Sequence, residues 1–214
     1  MNRIEAEALA SVPVFPLPHV VLFPEVLLPR HIFEPRYRAM LSDVLDGDGS
    51  LVIAQVDRET GRIADVGGIG VVVDHRVLPD GRSNIVVAGA ARVRLDELVL
   101  EDLPRYPYKR ARATRLAELE ASVPDADRAA LVAAATMFVT EVKKHDPTFE
   151  FQMPAQPTAG VLADTCAFHL VVDAAIRQAI LEELDPRVRV RMVMDQLALQ
   201  HGAMLGEVKG TVLN

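Results

Sequence analysis

Five serines (Ser11, Ser42, Ser50, Ser83, Ser122) and four lysines (Lys109, Lys143, Lys144, Lys209) stand in a chain of 214 residues. A serine–lysine pair hydrolyses peptides when the amine takes the proton of the attacking hydroxyl. None of these serines lies in G-x-S-x-G or S-x-x-K, the local contexts that expose and activate the hydroxyl. Only a pairing made in space would supply such a dyad. The stretch "GAMLGEVKGT" (202–211) has the glycines and the lysine of a phosphate-binding loop, but Glu207 and Val208 follow Gly206 where that loop needs Lys and Ser or Thr. Gly67, Gly68 and Gly70 do not form G-x-G-x-x-G, and no helix follows them.

The histidines (His19, His31, His75, His145, His169, His201) show no H-E-x-x-H or comparable ligand spacing. His169 falls in an apolar helical stretch and reads as a core or boundary residue. Cys166, one turn earlier, reads as a small buried hydrophobe rather than a nucleophile. Glu101-Asp102 and Glu118/Glu120 read as solvated faces, and no carboxylate pair is spaced for acid–base work. The chemistry-bearing residues therefore predict no catalytic residue, no cofactor site and no metal site.

Composition narrows the classes further. A single cysteine excludes an internal disulfide and a multi-cysteine zinc site. The net charge of −7 disfavours nucleic acid, whose phosphates need clustered Lys and Arg. The one basic stretch, "YKRARATR" (108–115), reads as a strand with alternating exposed charges. Half of the residues are apolar, enough for a real core, yet no uninterrupted apolar run reaches the length of a membrane span. The charged N-terminus lacks the apolar segment of a secretory signal, so a cytoplasmic address is expected.

The elements that must position any site change character near residue 118. Before it, strands are expected at Val12–Leu17, Val20–Leu28, Leu51–Val56, Ile69–Val73, Ile85–Ala90 and Val93–Leu100. Asp80-Gly81 predicts a hairpin turn, and Gly67, Gly68 and Gly70 a bulge or close backbone approach. One helix opens at Pro35 and closes at Gly47, with Tyr37, Met40, Leu41, Val44 and Leu45 on its apolar face.

After residue 118, Ser122 and Asp125 have the spacing of a capping box for a helix whose face is Leu131, Ala135, Phe138 and Val142. A proline-rich connector (145–160) precedes a helix through Ala163–Leu184, with Val172, Ile176, Ile180 and Leu184 on one row. Asp185-Pro186 then caps and starts another helix, whose face is Val190, Val193, Met194 and Leu197. The expected division is a flexible 1–10, a β-rich lobe over 11–117, a helical lobe over 118–206 and a loose tail at 207–214. No internal repeat is present.

The opening "VPVFPLPHVVLFPEVLLP" (12–29) places five prolines among strand-forming residues. Together with "LVIAQVD" (51–57), "VGGIGVVVDHRVLPDGRSNIVVAGAARVRL" (66–95), "YPYKRARAT" (106–114) and "LADTCAFHLVVDAAIRQAILEELDPRVRVRMVMDQL" (162–197), it resembles the N-terminal substrate-binding domain of Lon-type ATP-dependent proteases. Gly89-x-x-Arg92 and Leu-Asp-Pro-x-x-Arg (184–189) belong to the same ordered set. "HIFEPRYRAM" (31–40) is similar to free-standing bacterial-type versions of that domain. The resemblance implies an α+β fold, with an N-terminal β-rich PUA-like pseudo-barrel lobe containing one helix and a C-terminal helical bundle. It also implies that the chain ends where the protease would continue into its ATPase and serine-lysine protease modules.

The function implied by the resemblance is recognition of unfolded or extended polypeptide without catalysis, in the manner of an adaptor or holding protein. A partner protease or chaperone is an implied associate; nucleic acid and membrane are not, and the oligomeric state is left open. Phe33, Tyr37, Tyr106 and Tyr108 are the candidate peptide contacts, because aromatics give large contact area with few rotors. Packing is an equal alternative for each of the four. Phe15 and Phe23 are assigned to the core, and Arg92 to a structural ion pair or hydrogen bond. The alternative functions are a small-molecule-binding domain and an ATP-independent hydrolase with no recognisable motif.

Overall fold

Valine and isoleucine where backbones pair, and glycine where one backbone crosses another, organise the first 117 residues. The computed structural model describes residues 8–99 and 105–211. The chain divides into two compact units, Met1–Ala117 and Glu118–Asn214.

The first unit holds strands β1 (Ala8–Leu17), β2 (Leu27–Ile32), β3 (Ser50–Gln55), β4 (Val66–Val77), β5 (Ser83–Val99) and β6 (Lys109–Leu116), with helix α1 (Pro35–Asp46) between β2 and β3. The order is β2-β5-β4-β3-β1-β6, and β6 pairs again with β5. Five strands thus close a ring, and β2 extends from the first half of β5. β1 and β3 are parallel; every other pair is antiparallel. Alternate residues point inward, so Val12, Val14, Val52, Ala54, Ile69, Val93, Leu95, Ala111 and Ala113 form one buried cluster. In β6, buried Ala111 and Ala113 flank exposed Arg112, the alternation expected of the basic stretch.

The run Val20–Leu28 is not a strand until Leu27. Pro18 precedes it and Pro24 interrupts it, and the residues that follow them, His19 and Glu25, take positive φ values of 58° and 60°. Its Val21, Leu22, Phe23 and Val26 are nevertheless buried. The backbone of Leu22 and Phe23 lies directly on β4 and β5. A Cβ at Gly68 would stand 2.0 Å from the Leu22 carbonyl oxygen, and one at Gly89 would stand 1.9 Å from that of Phe23. The close approach expected of the 67–70 glycines is therefore real, and a register shift between Ile69 and Gly70 adds the bulge.

Ile85–Ala90 and Val93–Leu100 are a single strand rather than two, because the pairing with β4 continues through small residues at Ala88, Gly89 and Ala91. Leu100, Glu101 and Asp102 lie outside the described residues. The Asp80-Gly81 turn forms as expected. Gly81 has φ 78°, and the Asp80 carboxylate accepts from the Arg82 N–H at 3.0 Å. Helix α1 starts at Pro35 and is capped at Gly47, burying Tyr37, Met40, Leu41 and Val44. Leu45 is exposed instead, since at 100° per residue it falls beyond the edge of that stripe.

The second unit consists of α2 (Asp125–His145), α3 (Ala159–Leu170), α4 (Ala174–Glu182) and α5 (Pro186–Thr211), with α5 packed on α2 and α3. Ser122 and Asp125 do not make a capping box. Pro124 occupies the cap without a side-chain bond, and Asp125 is already helical. The helix expected through Ala163–Leu184 breaks into α3 and α4. The Asp173 carboxylate accepts from the N–H groups of Ala175 and Ile176 at 2.7 and 3.1 Å, which favours a new start over continuation. Val172, placed on the apolar row by its spacing, is consequently exposed.

Asp185 and Pro186 start α5 as anticipated, with the Arg187 guanidinium holding the Asp185 carboxyl down to about 2. β1 begins at Ala8, where β6 offers a partner, and α5 propagates to Thr211 from an established helix. Met1–Glu7 and residues 212–214 lie outside the described residues.

Candidate functional site

Alternation along "LLPRHIF" (27–33) defines one exposed surface of the first unit. Leu28 and Ile32 are buried, whereas Leu27 and Phe33 are each 59% exposed and Pro29 and His31 are exposed beside them. Cross-strand partners share a face. Leu27, Pro29 and His31 therefore lie level with Ala88, Val86 and Asn84 of β5, and with Val71, Asp74 and Arg76 of β4. The result is a three-stranded platform with apolar groups at Leu27, Val71 and Val86 and polar groups toward the hairpin. His31 Nδ1 and Asn84 Oδ1 are 2.8 Å apart, and the rings of His31 and Phe33 stack at 6.1 Å. A depression of about 380 Å³ opens there, with Pro29, His31, Asp74 and Asn84 in its lining.

The platform ends at β2, which pairs with β5 alone. Gly89 N–H donates to the Val26 carbonyl at 2.9 Å. Carried along the register, that alternation turns the polar backbone groups of Leu27, Pro29 and His31 toward the open edge. Pro29 has no N–H to offer there, and its carbonyl already accepts from Arg30 Nη1 at 2.8 Å. The edge is thus guarded at its middle, and side chains on the face are the more available means of contact.

The four expected contact aromatics separate clearly. Phe33 is presented to solvent. Tyr106 is half-buried, with Arg110 and Arg105 guanidinium carbons 4.5 and 5.2 Å from its ring centroid. Tyr37 is buried against Phe15, at 4.5 Å between centroids. Tyr108 is 1% exposed and its hydroxyl donates to the Asp43 carboxylate. Phe15 and Phe23 are core, as assigned. Leu27 and Val71 are aliphatic, so aromatic type does not single them out, whereas period-two alternation over 27–33 puts Leu27 and Phe33 on one face.

Burial, then the Asp43 carboxylate, push the Tyr108 phenol from its ordinary 10.0 up to about 12. A raised folded-state value means the contribution is complete below the unfolded value and is lost as pH rises through the folded one. Stability of the first unit should therefore decline between pH 10 and 12. Tyr108→Phe should flatten that slope in urea melts taken across the range.

Two further chemistry-bearing side chains, Ser83 and Cys166, are buried. Ser83 Oγ stands 3.1 Å from His75 Nε2, and Ser83 is buried between paired strands β2 and β4. Cys166 is buried and its thiol is pushed up to about 12, so thiolate is scarce at neutral pH. The stretch 202–211 continues helix α5 instead of forming a loop. Among the described residues, no cluster of His, Cys, Asp and Glu has the arrangement to hold a metal. No described helix is long and apolar enough to cross a membrane.

The Leu-Asp-Pro-x-x-Arg motif finds its reason in the second unit. Arg189 is fully buried, ion-paired through Nε with Asp164 Oδ1 at 3.1 Å and through Nη2 with Glu118. Its Nη1 also donates to the Glu183 carbonyl at 3.1 Å. Gly160 leaves space for it, since a Cβ there would lie 2.6 Å from Nη2. Glu118, read from sequence as a solvated face, is exposed and also pairs with Arg189.

Residues 11–198 match the family described as the ATP-dependent protease La (LON) substrate-binding domain. Among curated relatives, the Lon protease of Xanthomonas oryzae is 28% identical over 203 residues, covering 91% of this chain and 23% of that protein. The Lon protease of Rhizobium meliloti is 27% identical over 212 residues, covering 93% of this chain and 24% of the relative. The chain thus spans about a quarter of the length of these relatives. Two solved structures share the fold. A Lon N-terminal domain protein from Xanthomonas campestris has TM-score 0.68 and 19% identity, covering 87% of this chain and 98% of that one. The N-terminal domain of Mycobacterium avium complex Lon protease has TM-score 0.67 and 19% identity, covering 88% and 98% respectively.

Proposed function

The chain belongs to the family of the ATP-dependent protease La (LON) substrate-binding domain, and from that premise we propose that it recognises unfolded or extended polypeptide without cutting it. The observation that carries this reading is the platform of β2, β5 and β4, where Leu27, Phe33 and Val71 are exposed together beside a guarded edge. An extended segment lays alternate side chains over such a face, and apolar contact there tolerates salt because long-range charge contributes little. The first unit is read as a PUA-like pseudo-barrel and the second as a helical bundle, in a cytoplasmic adaptor or holding protein that can pass its client to a protease or chaperone. No group in either unit is assigned a catalytic role.

The test is fluorescence anisotropy with a labelled, permanently unfolded polypeptide and its folded parent, followed by gel analysis over hours. Saturable binding of the unfolded form alone, with the polypeptide intact, is expected. The double variant Leu27→Ser/Phe33→Ser should weaken it at least roughly tenfold, the equivalent of about 1.4 kcal/mol. Cleavage without ATP, or equal binding by the double variant, would overturn the reading.

A further inference from the structure

Helix α2 carries a face that its own unit does not cover. Twelve consecutive residues, Ala129–Thr140, contain no charge, yet only Leu131, Ala135 and Phe138 among them are buried. The opposite side presents Ala126, Ala130, Ala133, Met137 and Thr140, separated by four, three, four and three residues. That is the spacing of a seam between two helices. Met137 is 58% exposed on it.

We propose that this face is a self-association surface, with α2 of one chain packing antiparallel on α2 of a second copy. Charge selects that occupant. The first turn of α2 carries Asp125 and Asp127, and the last turn carries Lys143, Lys144 and His145. A two-fold axis passing between Ala133 and Met137 sets those two residues against each other across the seam. It also brings the acidic end of each helix level with the basic end of the other. A parallel arrangement would place like charges together at both ends. Asp125 and Lys143 lie on the same flank of the seam, as an antiparallel pair requires, and the small side chains permit close approach of the backbones. The contact is isologous and therefore closes at two copies. At 1.5 Å per residue α2 is about 31 Å long, so the interface sits at the small end of specific contacts, below about 1,200 Å². A weak dimer, micromolar or looser, is the expected strength.

Sedimentation of the full chain from micromolar to millimolar concentration should show a reversible monomer–dimer equilibrium that loosens with salt. Ala133→Glu should abolish the dimer while leaving the circular-dichroism melt unchanged. Lys143→Glu/Lys144→Glu should weaken it, and adding Asp125→Lys/Asp127→Lys should restore it. Register is read separately by oxidising Ala133→Cys mixed with Met137→Cys. The native Cys166 is buried, so the mixture should yield more covalent dimer than either variant alone. A monomer at every concentration would overturn the proposal. So would a dimer indifferent to Ala133→Glu, failure of the charge exchange to restore association, or no excess of the mixed disulfide.

Discussion

Replacing Arg189 with alanine is expected to cost the second unit about 3–5 kcal/mol, the usual penalty for leaving one member of a buried ion pair alone. Arg189 has no exposed surface, and Asp164 keeps only 2%, so neither can turn to water when the other is removed. Glu118 is nearly half exposed and should rehydrate, leaving Asp164 as the main source of the loss. Arginine also donates to the Glu183 carbonyl just before α5, so its removal frees the link that fixes the α4–α5 corner. A unit of this size loses about 4–8 °C per kcal/mol, so the melting temperature should fall by more than about 10 °C. Arg189→Met combined with Asp164→Leu should recover most of that, because a matched apolar replacement removes both desolvated charges together. An Arg189→Ala protein with an unchanged melt would show that the clamp carries little stability.

Gly89→Ala should be comparably severe in the first unit, at about 3 kcal/mol or more, the upper part of the range for overpacking. The added methyl would stand 1.9 Å from the Phe23 carbonyl oxygen, and that oxygen belongs to backbone held on both sides. Glu25 N–H donates to the Gly89 carbonyl, and Gly89 N–H to that of Val26, each at 2.9 Å. The crossing segment cannot retreat without losing both bonds and unseating Leu22 and Phe23 from the core. Gly202→Ala supplies the contrast. It lies within α5 with nothing within 4 Å of the new methyl, and should stabilise by about 0.8–1 kcal/mol through helix propensity alone. Urea midpoints of the two variants should move in opposite directions; if both fall or both rise, the crossing explanation fails.

Much of this fold is legible before any coordinates. Apolar runs locate β1, β3 and β4, alternating charges over 108–115 mark β6, and Asp80-Gly81 marks the β4–β5 turn. Pro35 and Gly47 bound α1, and Asp185-Pro186 marks the start of α5. The misreadings share a cause. Val20–Val26 has strand composition, but its backbone partners are glycines distant in sequence. Ser122 has capping-box spacing, yet Pro124 takes the cap, and Asp173 starts a helix inside an unbroken apolar row. Each is a competition between two locally acceptable conformations, decided by packing.

The candidate site divides in the same way. Residue type identified aromatics suited to polypeptide contact, but only burial separates Phe33 on the surface from Tyr108 under Asp43. Leu27 joins the surface because its β5 partner, Ala88, is set by register, and register is a property of the folded pair. The sequence by itself determined the strand-then-helix order, the absence of recognisable catalytic motifs and the family. Those depend on local periodicity, short-range spacing and ordered motifs. Only the tertiary structure decided the five-strand closure, the glycine crossing of Leu22 and Phe23, the Arg189 clamp and the membership of the platform. Each joins residues tens of positions apart, and their proximity is paid for by core burial rather than encoded in any one segment.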